Sequence, residues 1–570
     1  MAATDMNKKN RGSNYIVQAG ILAAAGIISR IIGLLYRGPL TSIIGDEGNG
    51  YYTSAYNIYT IILLISSYSI PAAVSKVIAQ KLAVKEYRNA HRIFICSVWY
   101  VVAVGGFASL FVFFFGDLLV KGEATITVLK IFAPTILMSG ILGVLRGYFQ
   151  AHKTMLQTSV SQILEQILNA VVSILAAYLF INTMLGGMDV YVADEAAGVL
   201  LSTEQIEWNT KHAMYGAAGS ALGTGAGVLI ALLFMLGIYM LNRGMILRRV
   251  RRDKHSKVDS YGDILKLVLS VVTPFILSTA IYNFSTSLNQ TIYTNIVMSI
   301  KEMSEAEVYR LYGIYGGKAV VISNIPIALA SAMSSAILPG ISAHYAKKEL
   351  KEARTSIADA IRSTMLIAIP AAVGLCVLAK PVTRLLFPYP KESLDMAAGL
   401  LSALAISIVF YTLSTLTNAV LQGIGKVNLP VVNAAAALIV QTAVLVVLLM
   451  FSDMGLYSLV ISNIVYSGTM CLLNGRCVKK HLNYRQERMR TYVIPLLAAI
   501  FMGAAAFGVY YGLNMLVKSN VICLTASIFI AVVVYFVLVI KFGGMNEEEL
   551  KKLPKGRSIY IVARKMHLMK

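Results

Sequence analysis

Fourteen apolar stretches, each long enough to cross a bilayer, follow one another along this chain, and the basic residues between them fall almost wholly into every second connection. A spanning helix needs about 20 mostly apolar residues, because lipid offers no water to backbone groups left unpaired. The stretches lie near residues 15–44, 51–79, 93–115, 125–147, 157–181, 214–241, 264–298, 312–342, 357–387, 394–421, 428–450, 455–475, 492–516 and 520–540. With the N-terminus inside, the two tails and the even-numbered connections carry 34 Lys and Arg, the odd-numbered connections carry 6, and 10 lie within spans. The positive-inside rule therefore predicts that both termini are cytoplasmic. Arg248, Arg249, Arg251 and Arg252 then face the cytoplasm, as do Arg485, Arg488 and Arg490, while the longest external connection, 182–213, carries Asp189, Asp194, Glu195, Glu204 and Glu207.

The chain is 57% hydrophobic and 14% charged. No connection exceeds roughly 35 residues, which leaves no room for a soluble domain, so the function is to be sought inside the membrane. A net charge of +22 would suggest nucleic acid in a soluble protein. Here topology and attraction to anionic membrane lipid account for it, and no nucleic-acid partner is expected. Cys96, Cys376, Cys471, Cys477 and Cys523 sit in or beside apolar spans without metal-ligand spacing, so neither a disulfide framework nor a metal site is expected. The first 14 residues are polar and basic, and the apolar run after them is too long for a signal peptide and lacks a small-residue cleavage site. It reads as a retained first span.

The first half of the chain is echoed in the second. Tyr56-x-Ile58-Tyr59 returns as Tyr312-x-Ile314-Tyr315, Lys85-Glu86-Tyr87-Arg88-Asn89-Ala90 as Lys348-Glu349-Leu350-Lys351-Glu352-Ala353, and Val144-Leu145-Arg146-Gly147 as Val420-Leu421-Gln422-Gly423. Each pair occupies the same place in a six-span unit, and because six is even the two units start on the same membrane side. The expected architecture is an all-α polytopic membrane protein with about 14 transmembrane helices. Its parts are an N-lobe at 1–245, a parallel-repeat C-lobe at 246–485, and two further helices with a cytoplasmic tail at 486–570. Parallel repeats about an axis along the membrane normal are a plan of secondary transporters, with the substrate site between rocking halves. Gly219, Gly223 and Gly227 recur on one helical face, as close backbone packing in lipid requires. Pro71, Pro134, Pro274, Pro326, Pro339 and Pro370 mark bends within spans, for shape or for a binding site.

An ionised side chain near the bilayer centre costs at least about 2.5–3.5 kcal/mol, so such residues face a partner or a wet cavity. Arg30 lies in the first span, and Arg37, seven residues on, shares its face at roughly 10 Å along the axis. Two guanidinium groups without a carboxylate in the same span suit a diphosphate. The competing reading has Arg37 reaching the outer headgroups and Arg30 pairing with Glu165. Lys318, in Gly313-x-x-Gly316-Gly317-Lys318, is placed to add a cation from the second half; the string lacks the Ser or Thr and the strand context of a nucleotide-binding loop. Lys76 either joins the cavity or reaches for the cytoplasmic surface. Glu165 either couples transport to a cation or proton, or balances Arg30 or Arg146, and Asp46 belongs with them as a candidate for coupling or charge balance. Asn283, Asn289 and Gln290 give the seventh span a polar, uncharged lining.

These residues carry a resemblance. Ser29-Arg30-Ile31-Ile32-Gly33, Gly45-Asp46-Glu47-Gly48, Ile70-Pro71-Ala72-Ala73-Val74-Ser75-Lys76, Leu145-Arg146-Gly147-Tyr148-Phe149-Gln150 and Leu338-Pro339-Gly340-Ile341-Ser342 resemble the polysaccharide-biosynthesis and stage V sporulation protein B-like branch of the multidrug/oligosaccharidyl-lipid/polysaccharide (MOP) exporter superfamily. That branch includes the MurJ-type lipid II flippases of Gram-positive bacteria. The resemblance covers the twelve repeated spans and accounts for the two extra ones. It implies a V-shaped, MATE-like bundle of two six-helix lobes that alternates between inward-open and outward-open states. It further implies that arginines of the first, second and eighth spans hold the substrate's diphosphate. Arg30 matches the first by its Ser-Arg-x-x-Gly context, Arg37 is displaced by one residue from the second, and Lys76 and Lys318 stand where arginines occur in the relatives. By position, spans 13 and 14 resemble the pair that holds the undecaprenyl tail.

The resulting expectation is a multi-pass protein of the bacterial plasma membrane. It would flip an undecaprenyl-diphosphate-linked cell-wall precursor, lipid II foremost, and have cell-wall synthesis proteins as its class of protein partner. No cofactor is expected, coupling being to membrane potential, Na+ or H+. The alternatives are a flippase for another lipid-linked polysaccharide unit and a cation-coupled multidrug exporter, which would need embedded carboxylates beyond Glu165. A membrane-embedded enzyme would need carboxylates at an aqueous face, and no Asp-x-Asp occurs in the chain.

Overall fold

The computed structural model describes residues 21–545, apart from 23, 69, 153, 189, 192–200, 254–257, 329–340, 343, 346, 427 and 485, together with 564; the side chains at 67, 68, 70, 72, 73 and 271–283 are not among those described. Every regular element among the described residues is helical. The chain divides into two compact units, Met1–Gly313 and Ile314–Lys570. The first holds α1 (Ala24–Leu35), α2 (Arg37–Leu63), α3 (Ile70–Ala83), α4 (Tyr87–Phe115), α5 (Glu123–Ala151), α6 (Met155–Leu185), α7 (Thr203–Arg252), α8 (Tyr261–Ser299) and α9 (Glu305–Tyr312). The second holds α10 (Leu350–Val377), α11 (Ala379–Leu386), α12 (Leu394–Gly423), α13 (Asn428–Phe451), α14 (Tyr457–Leu482), α15 (Ile494–Val517) and α16 (Asn520–Lys541).

Among the described residues, nine helices are long and apolar enough to cross a membrane, or ten if α1 and α2, which meet at 47°, count as one bent span. Four of the fourteen apolar stretches are not in this set: 51–79 and 312–342, which are not single helices as described, 455–475, and 264–298, part of whose side chains lie outside the described residues. The stretch at 51–79 is divided into the end of α2, a π-helical segment Leu64–Tyr68, and α3. That at 312–342 opens with the π-helical segment Gly313–Ala319 and runs into residues outside the description. Those at 264–298 and 455–475 are full helices, α8 and α14. The connection at 182–213 is shorter than the sequence suggests, because α7 begins at Thr203, where Ser202 and Gln205 form a reciprocal capping box.

Within α2, Gly45 takes φ 71 and ψ 179, so its path is two helical segments, 37–44 and 46–63. Only glycine adopts that backbone at little cost. The break falls where the first apolar stretch ends. Pro39 sits in the first turn of α2, where its missing N–H removes no helical bond.

The repeat seen in the sequence is present as a repeated turn. Lys85 and Lys348 both take φ 62. Lys85 N donates to Leu82 O at 3.1 Å and Glu86 N to Lys81 O at 2.9 Å; Lys348 N donates to Tyr345 O at 3.0 Å and Glu349 N to His344 O at 3.0 Å. This pattern closes a helix C-terminus, with lysine where glycine is usual. Side chains repeat too: Lys81 Nζ lies 2.8 Å from Glu86 Oε2, and His344 Nδ1 lies 2.8 Å from Glu349 Oε2. In the first unit Lys81 also meets Asp259 Oδ2 at 2.7 Å, which fixes the start of α8 to this turn.

Donation from Asn89 and the Lys81 ammonium hold the Glu86 carboxyl below the usual carboxylate range. A carboxyl lowered in the folded state adds stability that is complete above its unfolded pKa and vanishes as pH falls through the folded one. Glu86→Gln is therefore expected to melt below wild type at pH 7, with the gap closing on acidification below about pH 4. Thermal scans of both proteins across pH 3–7 check this; a gap independent of pH would contradict it.

Helix packing in the first unit rests on the glycine face of α7 against α6. A Cβ added at Gly219 would lie 2.4 Å from Ala177 N, one at Gly223 2.3 Å from Ser173 N, and one at Gly227 2.5 Å from Glu165 O. No side chain fits there, so the two backbones touch. Polar groups tie the same layer together: Ser173 Oγ donates to Asn169 Oδ1 at 2.9 Å, Thr224 Oγ1 donates to it at 3.3 Å, and Tyr52 OH lies 3.1 Å from Thr224 Oγ1. In the second unit Asn433 donates to Asn474 at 2.8 Å and Asn474 to Asn418 at 2.7 Å. There α15 packs on α10 and α16 on α15, with Tyr535 OH of α16 donating to Leu366 O of α10 at 2.8 Å and Ser527 Oγ of α16 to Ala506 O of α15 at 2.6 Å.

Candidate functional site

The first unit encloses a cavity of about 520 Å³ between α2, α5, α6 and α7, reached also by Gly33 of α1 and Pro71 of α3. Its charged groups come from three helices. Arg37 opens α2 directly after the 47° bend and lines the cavity beside Tyr36. Arg146, near the end of α5, donates through Nε to Ser161 Oγ at 2.8 Å and pairs through Nη2 with Glu165 Oε2 at 2.7 Å. With side-chain exposures of 15% and 23%, this pair is shielded enough that loss of one member leaves the other charge poorly solvated.

Tyrosines make the wall between the charges. Tyr52, Tyr56 and Tyr59 follow one face of α2 at i, i+4 and i+7. The Tyr52 and Tyr56 rings stack at 5.8 Å and 14°, and Tyr59 stacks on Phe132 at 4.8 Å and 20°. Tyr59 OH lies 3.4 Å from Ser139 Oγ, which with the Tyr52–Thr224 contact turns both hydroxyls into the wall. Amides complete the lining: Gln150 from α5, and Gln162, Gln166 and Asn169 from α6.

The residues singled out in the sequence fall in several places. Arg37, Arg146 and Glu165 share this cavity. Arg30 does not: it is exposed on α1, and the bend at Tyr36 breaks the helical register that would have put it on the face of Arg37. Lys76 is exposed on α3. Asp46 is buried immediately after the break at Gly45. Asn289 is buried in α8, and the neighbouring Gln290 accepts from Asn57 Nδ2 at 2.7 Å; Asn283 belongs to α8, but its side chain lies outside the described residues. Lys318, in the second unit, is 1% exposed and donates to Ser393 Oγ at 2.7 Å. The tyrosine wall and the glutamines were not singled out. Their signal was present as helical spacing, in Tyr52-Tyr56-Tyr59 and Gln162-Glu165-Gln166-Asn169, but such spacing also describes ordinary helix packing.

The family model described as "Lipid II flippase MurJ" matches residues 85–533. The lipid II flippase MurJ of Bacillus subtilis (strain 168) is 24% identical over 511 residues, 85% of this chain and 86% of that protein. Stage V sporulation protein B of the same strain is 23% identical over 540 residues, 94% and 96% of the two chains. Among solved structures, an inward-facing multidrug resistance MATE family transporter of the MOP superfamily aligns with a TM-score of 0.63 at 16% identity, covering 80% of this chain and 94% of that one. The lipid II flippase MurJ in an inward closed conformation aligns with a TM-score of 0.61 at 14% identity, covering 91% and 97%. The helical fold is thus of the MATE/MOP kind.

Proposed function

The chain belongs to the family of MurJ lipid II flippases, and from that membership we propose that it moves an undecaprenyl-diphosphate-linked cell-wall precursor, lipid II foremost, from the inner to the outer leaflet by alternating access. It is a multi-pass membrane transporter, not an enzyme. The observation that carries the reading at the residue level is the cavity of the first unit. It holds Arg37, which has no ion pair among the described residues, beside an Arg146 already balanced by Glu165. A net positive cavity favours an anionic headgroup, and a guanidinium fork fits diphosphate oxygens. A cation-coupled drug exporter would want a carboxylate free for its substrate, and Glu165 is engaged. A flippase for another lipid-linked polysaccharide unit would use the same diphosphate contacts.

The finer architecture is part of the proposal: 14 spans in lobes at 1–245 and 246–485, a further pair at 486–570 that shelters the polyprenyl tail, and both termini in the cytoplasm. The repeated Lys85 and Lys348 turns and the distribution of basic residues support it. The inside-negative potential resets the empty cationic cavity, one charge across about 100 mV being worth about 2.3 kcal/mol.

Depletion of the protein in its host, with lipid II accessibility measured from outside, tests both points. Exposure of lipid II should fall on depletion, return with the wild-type chain, and fall again when the potential is collapsed by an ionophore. Unchanged lipid II exposure with loss of another surface polymer would replace the substrate assignment. Flipping that persists without the potential would remove the coupling.

A further inference from the structure

The cavity presents a donor-only group on one helix and groups that both donate and accept on another. From α2, Arg37 supplies donors only. From α6, Gln162, Glu165, Gln166 and Asn169 fall at i, i+3, i+4 and i+7 and line the cavity as one polar stripe. Asn169 is committed to the fold, because its Oδ1 already accepts from Ser173 and Thr224. Glu165 is an acceptor only, and its charge repels phosphate. Gln162 Oε1 is buried without a hydrogen-bond partner among the described residues, so turning that oxygen into the cavity breaks no hydrogen bond to them.

A diphosphate, fully ionised, has no N–H or O–H to offer the amide oxygens of Gln162 and Gln166 and can use only their NH2 groups, whereas a group with both donors and acceptors uses the whole amide. A sugar has hydroxyls, and an acetamido sugar has an N–H as well. Tyr56 lines the same cavity from α2. An aromatic face accommodates the apolar C–H face of a pyranose, as it does other weakly polarised C–H groups.

We infer that Gln162 and Gln166 of α6, with the ring of Tyr56, form a subsite for the sugar joined directly to the diphosphate, while Arg37 holds the diphosphate itself. This assignment rests on the lipid-linked glycan reading and deepens it: the cavity selects for glycosylated over bare polyprenyl diphosphate. The α6 stripe is then a specificity element, distinct from the contact that supplies general affinity.

The test is equilibrium binding to the full-length protein in nanodiscs, with lipid II and with undecaprenyl diphosphate that lacks the glycan. Wild type should prefer lipid II by about tenfold or more. Gln162→Leu and Gln166→Leu should each bring that ratio toward one while leaving affinity for undecaprenyl diphosphate within about twofold, which also shows that the variants fold. Arg37→Gln should weaken both ligands in the same proportion. If the glutamine variants weaken both ligands equally, or if wild type binds both equally, the subsite is overturned while the diphosphate contact stands. If wild type binds neither ligand, the lipid-linked substrate reading itself fails and the subsite falls with it.

Discussion

Arg37→Gln should abolish most outward movement of lipid II, cutting the initial rate by roughly 10- to 100-fold when the variant replaces wild type in depleted cells. The magnitude follows from the chemistry of the site. A hydrogen bond to a charged group is worth about 1.5–3 kcal/mol, and each 1.4 kcal/mol is about tenfold in binding. Arg146 in the same cavity cannot substitute, because Glu165 already occupies it at 2.7 Å. Glutamine keeps much of the length and some donor capacity, so the loss isolates the charge. The comparison is Arg30→Gln, which alters an exposed residue of α1 outside this cavity and should reduce the rate several-fold less. Equal loss in both variants, at equal protein level, would show that the cavity of the first unit is not where the anion is held.

Gly223→Leu should be the most damaging single change to the fold. A Cβ at Gly223 would sit 2.3 Å from Ser173 N and 2.2 Å from Ser173 Oγ, so α6 and α7 would have to part along their whole contact. Overpacking typically costs about 1–3 kcal/mol and more where backbone must move. The displaced layer also holds the Asn169, Ser173 and Thr224 contacts that position the α6 wall of the cavity. The expected outcome is a fall of several degrees or more in melting temperature, or no monodisperse protein at all, read by fluorescence-detected size exclusion after heating. Gly106→Leu is the control, since a Cβ there meets nothing within 4 Å among the described residues. Comparable melting of the two variants would mean that the α6–α7 contact does not govern stability.

The sequence made some of these features legible and hid others for physical reasons. Apolar length and the placement of Lys and Arg are local properties, so the membrane-spanning class was readable. The Gly219, Gly223 and Gly227 face was readable because helical periodicity fixes which residues share a side. The match of Lys85-Glu86 with Lys348-Glu349 announced the repeated turn, though not that a lysine would take the left-handed conformation in each. The partner of Glu165 was ambiguous between Arg30 and Arg146, since both were embedded cations with no tertiary coordinate attached. The bend at Tyr36 decides where Arg30 goes; Gly33 and Gly38-Pro39 on either side of it allow a bend between and after the two arginines, but do not set its direction. The tyrosine and glutamine lining depended on the rotation of α2 and α6 about their own axes. Contacts between helices set those rotations, and a single chain's pattern does not contain them.

The helix α7 is 50 residues long. At 1.5 Å per residue that is about 75 Å, more than twice the roughly 30 Å of hydrocarbon it has to cross. Its glycine face is clamped to α6 near the middle, while its far end carries Arg248, Arg249, Arg251 and Arg252. Such a rod behaves as a lever with its fulcrum in the bilayer: a rotation of about 5° sweeps each tip through about 3 Å, given the same rise per residue. Small adjustments around the cavity wall are therefore broadcast as larger excursions of a basic tip in water, where a partner or a charged lipid surface can resist or assist them.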